Sequence, residues 1–93
     1  MNLEKIRWRL LLSGKVQHVG FRYTAYYIAK KLSLTGWVQN CADGRVLVEV
    51  QGPSAHVRKF LLQLKSQPHI HIAETELTVL PPLPDEHGFS VRA

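Results

Sequence analysis

Apolar positions along the chain follow two alternating periods. Ile6, Trp8, Leu10 and Leu12 alternate with Arg7, Arg9 and Leu11, so one apolar face recurs every second residue, as on a half-buried strand. Ser13-Gly14 ends that alternation, and a short segment, 15–20, follows. Ala25, Ile28, Ala29 and Leu32 then fall at i, i+3, i+4 and i+7, one buried helical stripe. Lys30 and Lys31 lie in its last turns, where the helix dipole favours cations. The spacing predicts a helix over 21–32. Residues 35–40 read as a second strand, and Cys41-Ala42-Asp43-Gly44 has the chemistry of a hairpin turn. Val46, Val48 and Val50 alternate with Leu47, Glu49 and Gln51 in a third strand. Gly52-Pro53-Ser54 breaks it and can open a helix, because proline is tolerated in a first turn. Val57, Phe60, Leu61 and Leu64 repeat the helical stripe and predict a second helix over 54–66. Ala73, Thr75, Leu77 and Val79 alternate with Glu74, Glu76 and Thr78 in a fourth strand, which Pro81-Pro82-Leu83-Pro84 stops. Residues 89–92 can form a short fifth strand.

The predicted order is βαββαβ with that extra strand, and no internal linker or repeat interrupts it. It implies one domain over 1–93 of the α+β class, a ferredoxin-like antiparallel sheet with both helices on one face. A right-handed crossover returns the second strand parallel to the first, and the third slots between them. The ends of the first two strands then share one edge, two strand spacings or about 10 Å apart. Residues 14–22 and 39–44 should form one mouth.

Composition sharpens this picture. In 93 residues, 45% are hydrophobic and 20% charged, a globular balance with no room for a separate cofactor domain. Twelve Lys+Arg against 7 Asp+Glu leave a net charge of +5, and the pI is about 9.7. Such a chain points to an anionic partner: nucleic acid, acidic lipid or a phosphorylated small molecule. The single cysteine, Cys41, excludes an intramolecular disulfide and a four-cysteine metal site. A chain without such a staple suits the reducing cytoplasm, which is the expected localisation. Met1-Asn2-Leu3-Glu4-Lys5 lacks the pattern of a signal peptide, and no apolar run approaches the length of a membrane span. No membrane partner is expected.

The candidate chemistry lies at the predicted mouth. Gly14-Lys15-Val16-Gln17-His18-Val19-Gly20-Phe21-Arg22 runs from a strand into a helix N-terminus, where the first amides lack internal partners and the dipole is positive. A tight loop there can turn further N–H groups inward as an anion nest, and Arg22 can clamp a phosphate with two donors. The alternative is that Gly14 and Gly20 only serve a turn and Arg22 is a surface residue. Asn40 either supports the adjacent Asp-Gly turn or holds a water by donating and accepting.

Other signals lead elsewhere. His69 and His71 would share a strand face, but two ligands lack the third and fourth that a metal needs; no metal and no cofactor are expected. The third strand, Val46-Leu47-Val48-Glu49-Val50, carries no aromatic residue on which RNA bases could stack. No nucleic acid is expected as partner.

The stretch 14–22 closely resembles the first signature of the acylphosphatase family: Gly, any, Val, Gln, Gly, Val, any, Phe or Met, Arg. Gly36-Trp37-Val38-Gln39-Asn40, followed by Gly44, Val46 and Gly52, resembles the second. The likeness extends over nearly the whole chain. It implies metal-free hydrolysis of a small acyl phosphate to a carboxylate and inorganic phosphate, by a monomer. It further implies that Arg22 and the loop around it, Lys15, Val16, Gln17, His18, Val19, Gly20 and Phe21, bind the phosphoryl group, while Asn40 orients the attacking water. His18 departs from the family's glycine; it either narrows the cradle or adds a donor. Cys41 stands where many relatives carry a hydroxyl, and reads as a small strand-end residue. The alternative within the resemblance is a catalytically weak module that binds phosphate or carbamoyl phosphate inside a larger carbamoyl-transfer protein. The initial Met1 favours a free-standing enzyme.

Overall fold

The computed structural model describes residues 4–93; the reading of the extreme N-terminus therefore lies partly outside the described residues. The elements are β1 (Lys5–Lys15), α1 (Phe21–Lys31), β2 (Thr35–Asn40), β3 (Val46–Pro53), α2 (Ser54–Lys65), β4 (His71–Leu80) and β5 (Phe89–Arg92). They form one five-stranded sheet in the order β4-β1-β3-β2-β5. The α+β order and both helices are as expected, each helix ending one residue early, at a capping Leu32 and Ser66. β3 lies between β1 and β2 and runs antiparallel to both. The sheet is mixed rather than purely antiparallel, because β5 joins β2 in parallel, with Gly36 opposite Phe89 and Val38 opposite Val91.

β1 is longer than its alternating pattern. Ser13-Gly14 bends the strand without ending it: the register against β4 shifts there, and pairing resumes at Gly14 and Lys15. Gly14 has φ 120, and a Cβ on it would run into the backbone of His71 and Ala73. Only glycine lets the two strands close at this bulge.

The apolar faces meet as their periods require. Trp8, Leu10, Leu12, Val46, Val48 and Val50 of the sheet are buried with Ala25, Ile28 and Ala29 of α1 and Val57, Phe60 and Leu64 of α2. Burying an aliphatic or aromatic side chain contributes about 1.5–3 kcal/mol, so this single core holds the chain without a staple.

The opposite face departs from expectation. Arg7 falls on the polar phase of β1, yet only 1% of it is exposed, and Glu49 and Gln51 are buried as well. Topology explains this. β4 and β5 occupy opposite edges of the sheet, so residues 81–88 must cross its whole width, and they do so over the helix-free face. About 3.3 Å per residue lets eight residues span four strand spacings of about 4.8 Å. Arg7 donates to Glu49 at 2.8 and 3.0 Å, to Glu86 at 2.7 and 3.1 Å, and to Gln51 at 3.2 Å. Gln51 clamps the crossing through Leu83, donating to its carbonyl at 2.9 Å and accepting from its amide at 2.7 Å. Thr35 donates to Glu86 at 2.7 Å. Arg9 completes the cluster with bonds of 2.7 and 3.0 Å to Glu49.

Candidate functional site

The end of β1 and the end of β2 open on the same edge, with β3 between them. Here a cleft of about 250 Å³ is lined by Val16, His18, Gly20, Phe21, Arg22, Tyr23 and Asn40. The loop from β1 to α1 and the last residue of β2 thus share one mouth, as topology predicts.

The loop is shaped by two left-handed residues. His18 has φ 62 and Gly20, the N-cap of α1, has φ 76. Gly20 brings no side-chain cap, and the first turn of α1 contains no acidic residue. The opening amides of the helix therefore meet no acidic side chain from its own first turn and no side-chain cap. Val16 is fully buried and Phe21 is 2% exposed; both belong to the core cluster and anchor the loop near its two ends. His18 and Lys15 are exposed and Val19 is half-buried against the core. Lys15 closes β1 opposite His71 and does not line the cleft.

Arg22 is held from outside the loop. Its Nη1 donates to the carbonyl of Arg92 at 2.8 Å, which ties the guanidinium to the last residue of β5. Arg92 is itself fixed, its guanidinium lying 4.2 Å over the Trp37 ring. The remaining donors of Arg22 make no other hydrogen bond to the described residues that is short enough to hold them, which leaves a planar fork at the helix N-terminus.

Asn40 is the other polar group in the cleft. Among the described residues, its Oδ1 is the one buried side-chain polar atom with no hydrogen-bond partner. A buried carbonyl left unpaired costs about 1–3 kcal/mol, so a partner that donates a hydrogen to it is favoured. The adjacent turn is supported by Asp43, which accepts from the Arg45 amide at 3.1 Å.

Sequence reasoning did not separate Gln17 from its neighbours in the loop. Its side chain does not line the cleft. It donates to the carbonyls of Cys41 at 2.8 Å and Arg45 at 2.9 Å. Arg92 was also unmarked, since a backbone carbonyl leaves no trace in residue type. Among the described residues no group of three or more His, Cys, Asp or Glu is arranged to hold a metal ion, and no helix is long and apolar enough to cross a membrane.

A family model described as Acylphosphatase matches residues 8–91. An acylphosphatase of Clostridium beijerinckii is 40% identical over 88 residues, covering 94% of this chain and 98% of that protein. The crystal structure of acylphosphatase from Bacillus subtilis superposes with a TM-score of 0.88 at 34% identity, over 95% of this chain and 99% of that one. A segment of T. kodakarensis HypF also aligns, with a TM-score of 0.82 and 28% identity over 95% of this chain but 12% of that one.

Proposed function

The chain belongs to the acylphosphatase family and hydrolyses acyl phosphates, and on that premise we propose how its own residues carry the reaction. The phosphoryl group sits in the cleft against the amides of the 15–20 loop and the first turn of α1. Arg22 clamps it through the donors that Arg92 leaves free. Asn40 holds the attacking water, accepting one of its hydrogens at Oδ1. The unpaired Oδ1 of Asn40, in the same cleft as Arg22, is the observation that carries this reading.

The water oxygen attacks phosphorus while the bond from phosphorus to the acyl oxygen breaks. The bonding pair leaves on that oxygen as a carboxylate, and the water's proton passes to a phosphoryl oxygen of the substrate. A carboxylate is a good leaving group, so positioning and charge stabilisation suffice. Charge spread over three equatorial oxygens is matched by a ring of N–H donors and one guanidinium. In this reading the substrate's own phosphate takes the proton, so His18, the imidazole in the cleft lining, is not required as a base.

Hydrolysis of benzoyl phosphate with and without a chelator tests this, in wild type and in Arg22→Ala. The rate is expected to be indifferent to the chelator and to fall by about 10³-fold or more in the variant. Loss on chelation would remove the metal-free mechanism, and full activity in Arg22→Ala would remove the phosphate clamp.

A further inference from the structure

Gln17 belongs to the loop but does not line the cleft, and both hydrogens of its side-chain NH2 are committed elsewhere. Nε2 donates to Cys41 O at 2.8 Å and to Arg45 O at 2.9 Å. Those two carbonyls close the turn between β2 and β3: the Cys41 amide donates to Arg45 O at 2.8 Å and the Gly44 amide to Cys41 O at 3.2 Å. One side chain therefore fills the second acceptor position of both carbonyls. Cys41 directly follows Asn40 in the chain.

The consequence follows from the sheet order. β1 and β2 are not neighbours, because β3 lies between them, and no ladder hydrogen bond joins their ends directly. The loop that leaves β1 and the turn that leaves β2 are bridged over this gap by Gln17. The loop carries the phosphate donors and the end of β2 carries Asn40, so the bridge sets the separation between phosphorus and the water that attacks it.

We propose that Gln17 is a positioning residue for hydrolysis: it fixes Asn40 against the phosphate cradle, and so governs the rate of the chemical step while leaving phosphate affinity alone. This rests on the roles given above to Arg22 and Asn40. Attack geometry tolerates little error, since a displacement of about 1 Å can cost about 10²-fold in rate.

The test compares wild type, Gln17→Met, Asn40→Ala and the double variant on benzoyl phosphate, with inorganic phosphate as competitive inhibitor. Methionine keeps the length and removes the donors. Gln17→Met is expected to lower kcat about 10-fold or more while the inhibition constant for phosphate stays within about twofold. In the Asn40→Ala background Gln17→Met should have no further effect, because residues acting as one unit are not additive. An unchanged kcat in Gln17→Met, equal losses in both backgrounds, or a parallel loss of phosphate affinity would each overturn the proposal. If Asn40→Ala alone keeps full rate, it is the water-holding role that fails, and the positioning role with it. Gln17→Glu, which keeps the shape and offers acceptors to two carbonyls, should reproduce the kcat loss and decides the matter if the methionine variant does not fold.

Discussion

Arg22, Asn40 and His18 show how little chemistry a residue type carries until the backbone gives it a direction. Arginine at a helix start is ordinary, but one tied to Arg92 O beside uncapped amides is placed as the proposed clamp requires. Replacement by lysine keeps the charge and loses the fork; Arg22→Lys is expected to cost about 10²-fold or more in kcat/KM, measured by steady-state hydrolysis. His18 was legible as a departure from the family's glycine, and its φ of 62 gives the physical content of that departure. A left-handed non-glycine residue costs about 1–2 kcal/mol, and glycine costs about 0.5–1 kcal/mol in chain entropy. His18→Gly is therefore expected to stabilise the fold by about 0.5–1 kcal/mol, read from the midpoint of urea unfolding. An unchanged or lower midpoint would mean that the ring contributes contacts that offset its strain.

Among the elements, the helices and the inner strands were legible because their apolar positions obey one period each and face one core. The helix-free face was not. Alternation marks Arg7 as outward, and outward means solvent only if nothing crosses that face. What crosses it is residues 81–88, whose path depends on β4 and β5 taking opposite edges, a fact of topology with no local signal. The cluster beneath that crossing makes the fold sensitive to acid. For Glu49, burial would push the pKa up, but hydrogen bonds from Arg9 and Arg7 override it and hold it below the usual carboxylate value. Glu86 is likewise pushed up by burial and brought lower by Arg7 and Thr35. Both carboxylates are thus harder to protonate folded than unfolded, so their stabilisation is full above the ordinary carboxylate pKa. It declines as pH falls from there through the lowered folded values. Thermal unfolding as a function of pH is expected to show that decline, and Glu49→Ala should flatten it. The same variant takes from buried Arg7 one of its two carboxylates, leaving it Glu86 and Gln51, and takes Glu49 from half-exposed Arg9, and should cost about 1–3 kcal/mol at neutral pH. A loss below about 1 kcal/mol would mean that the cluster behaves as a solvated surface pair.

For the molecule as a whole, the net charge of +5 pointed to an anion without saying which. The cleft that holds both Arg22 and Asn40 has a volume of about 250 Å³, the size of a small phosphorylated group. The charge outside that cleft acts on encounter. Raising salt from about 10 mM to 0.3 M should lower kcat/KM several-fold while leaving kcat nearly constant, since screening weakens attraction at long range and not a clamp at contact. A salt-independent kcat/KM would assign the surplus cations no part in substrate capture. The mouth itself was legible in the sequence, from strand order and crossover handedness. The bridge across it was not, because Gln17 spends its amide on backbone carbonyls 24 and 28 residues away.

In the proposed mechanism one cleft separates two tasks, phosphate capture by Arg22 with the loop and water alignment by Asn40. Asn40→Ala tests it most directly, with kcat for benzoyl phosphate and the Kd of inorganic phosphate measured on the same preparation. The expected kcat is lower by about 10²–10³-fold, with a phosphate Kd within a few-fold of wild type. An unchanged kcat, or a loss of phosphate affinity large enough to explain the lost rate, would contradict it.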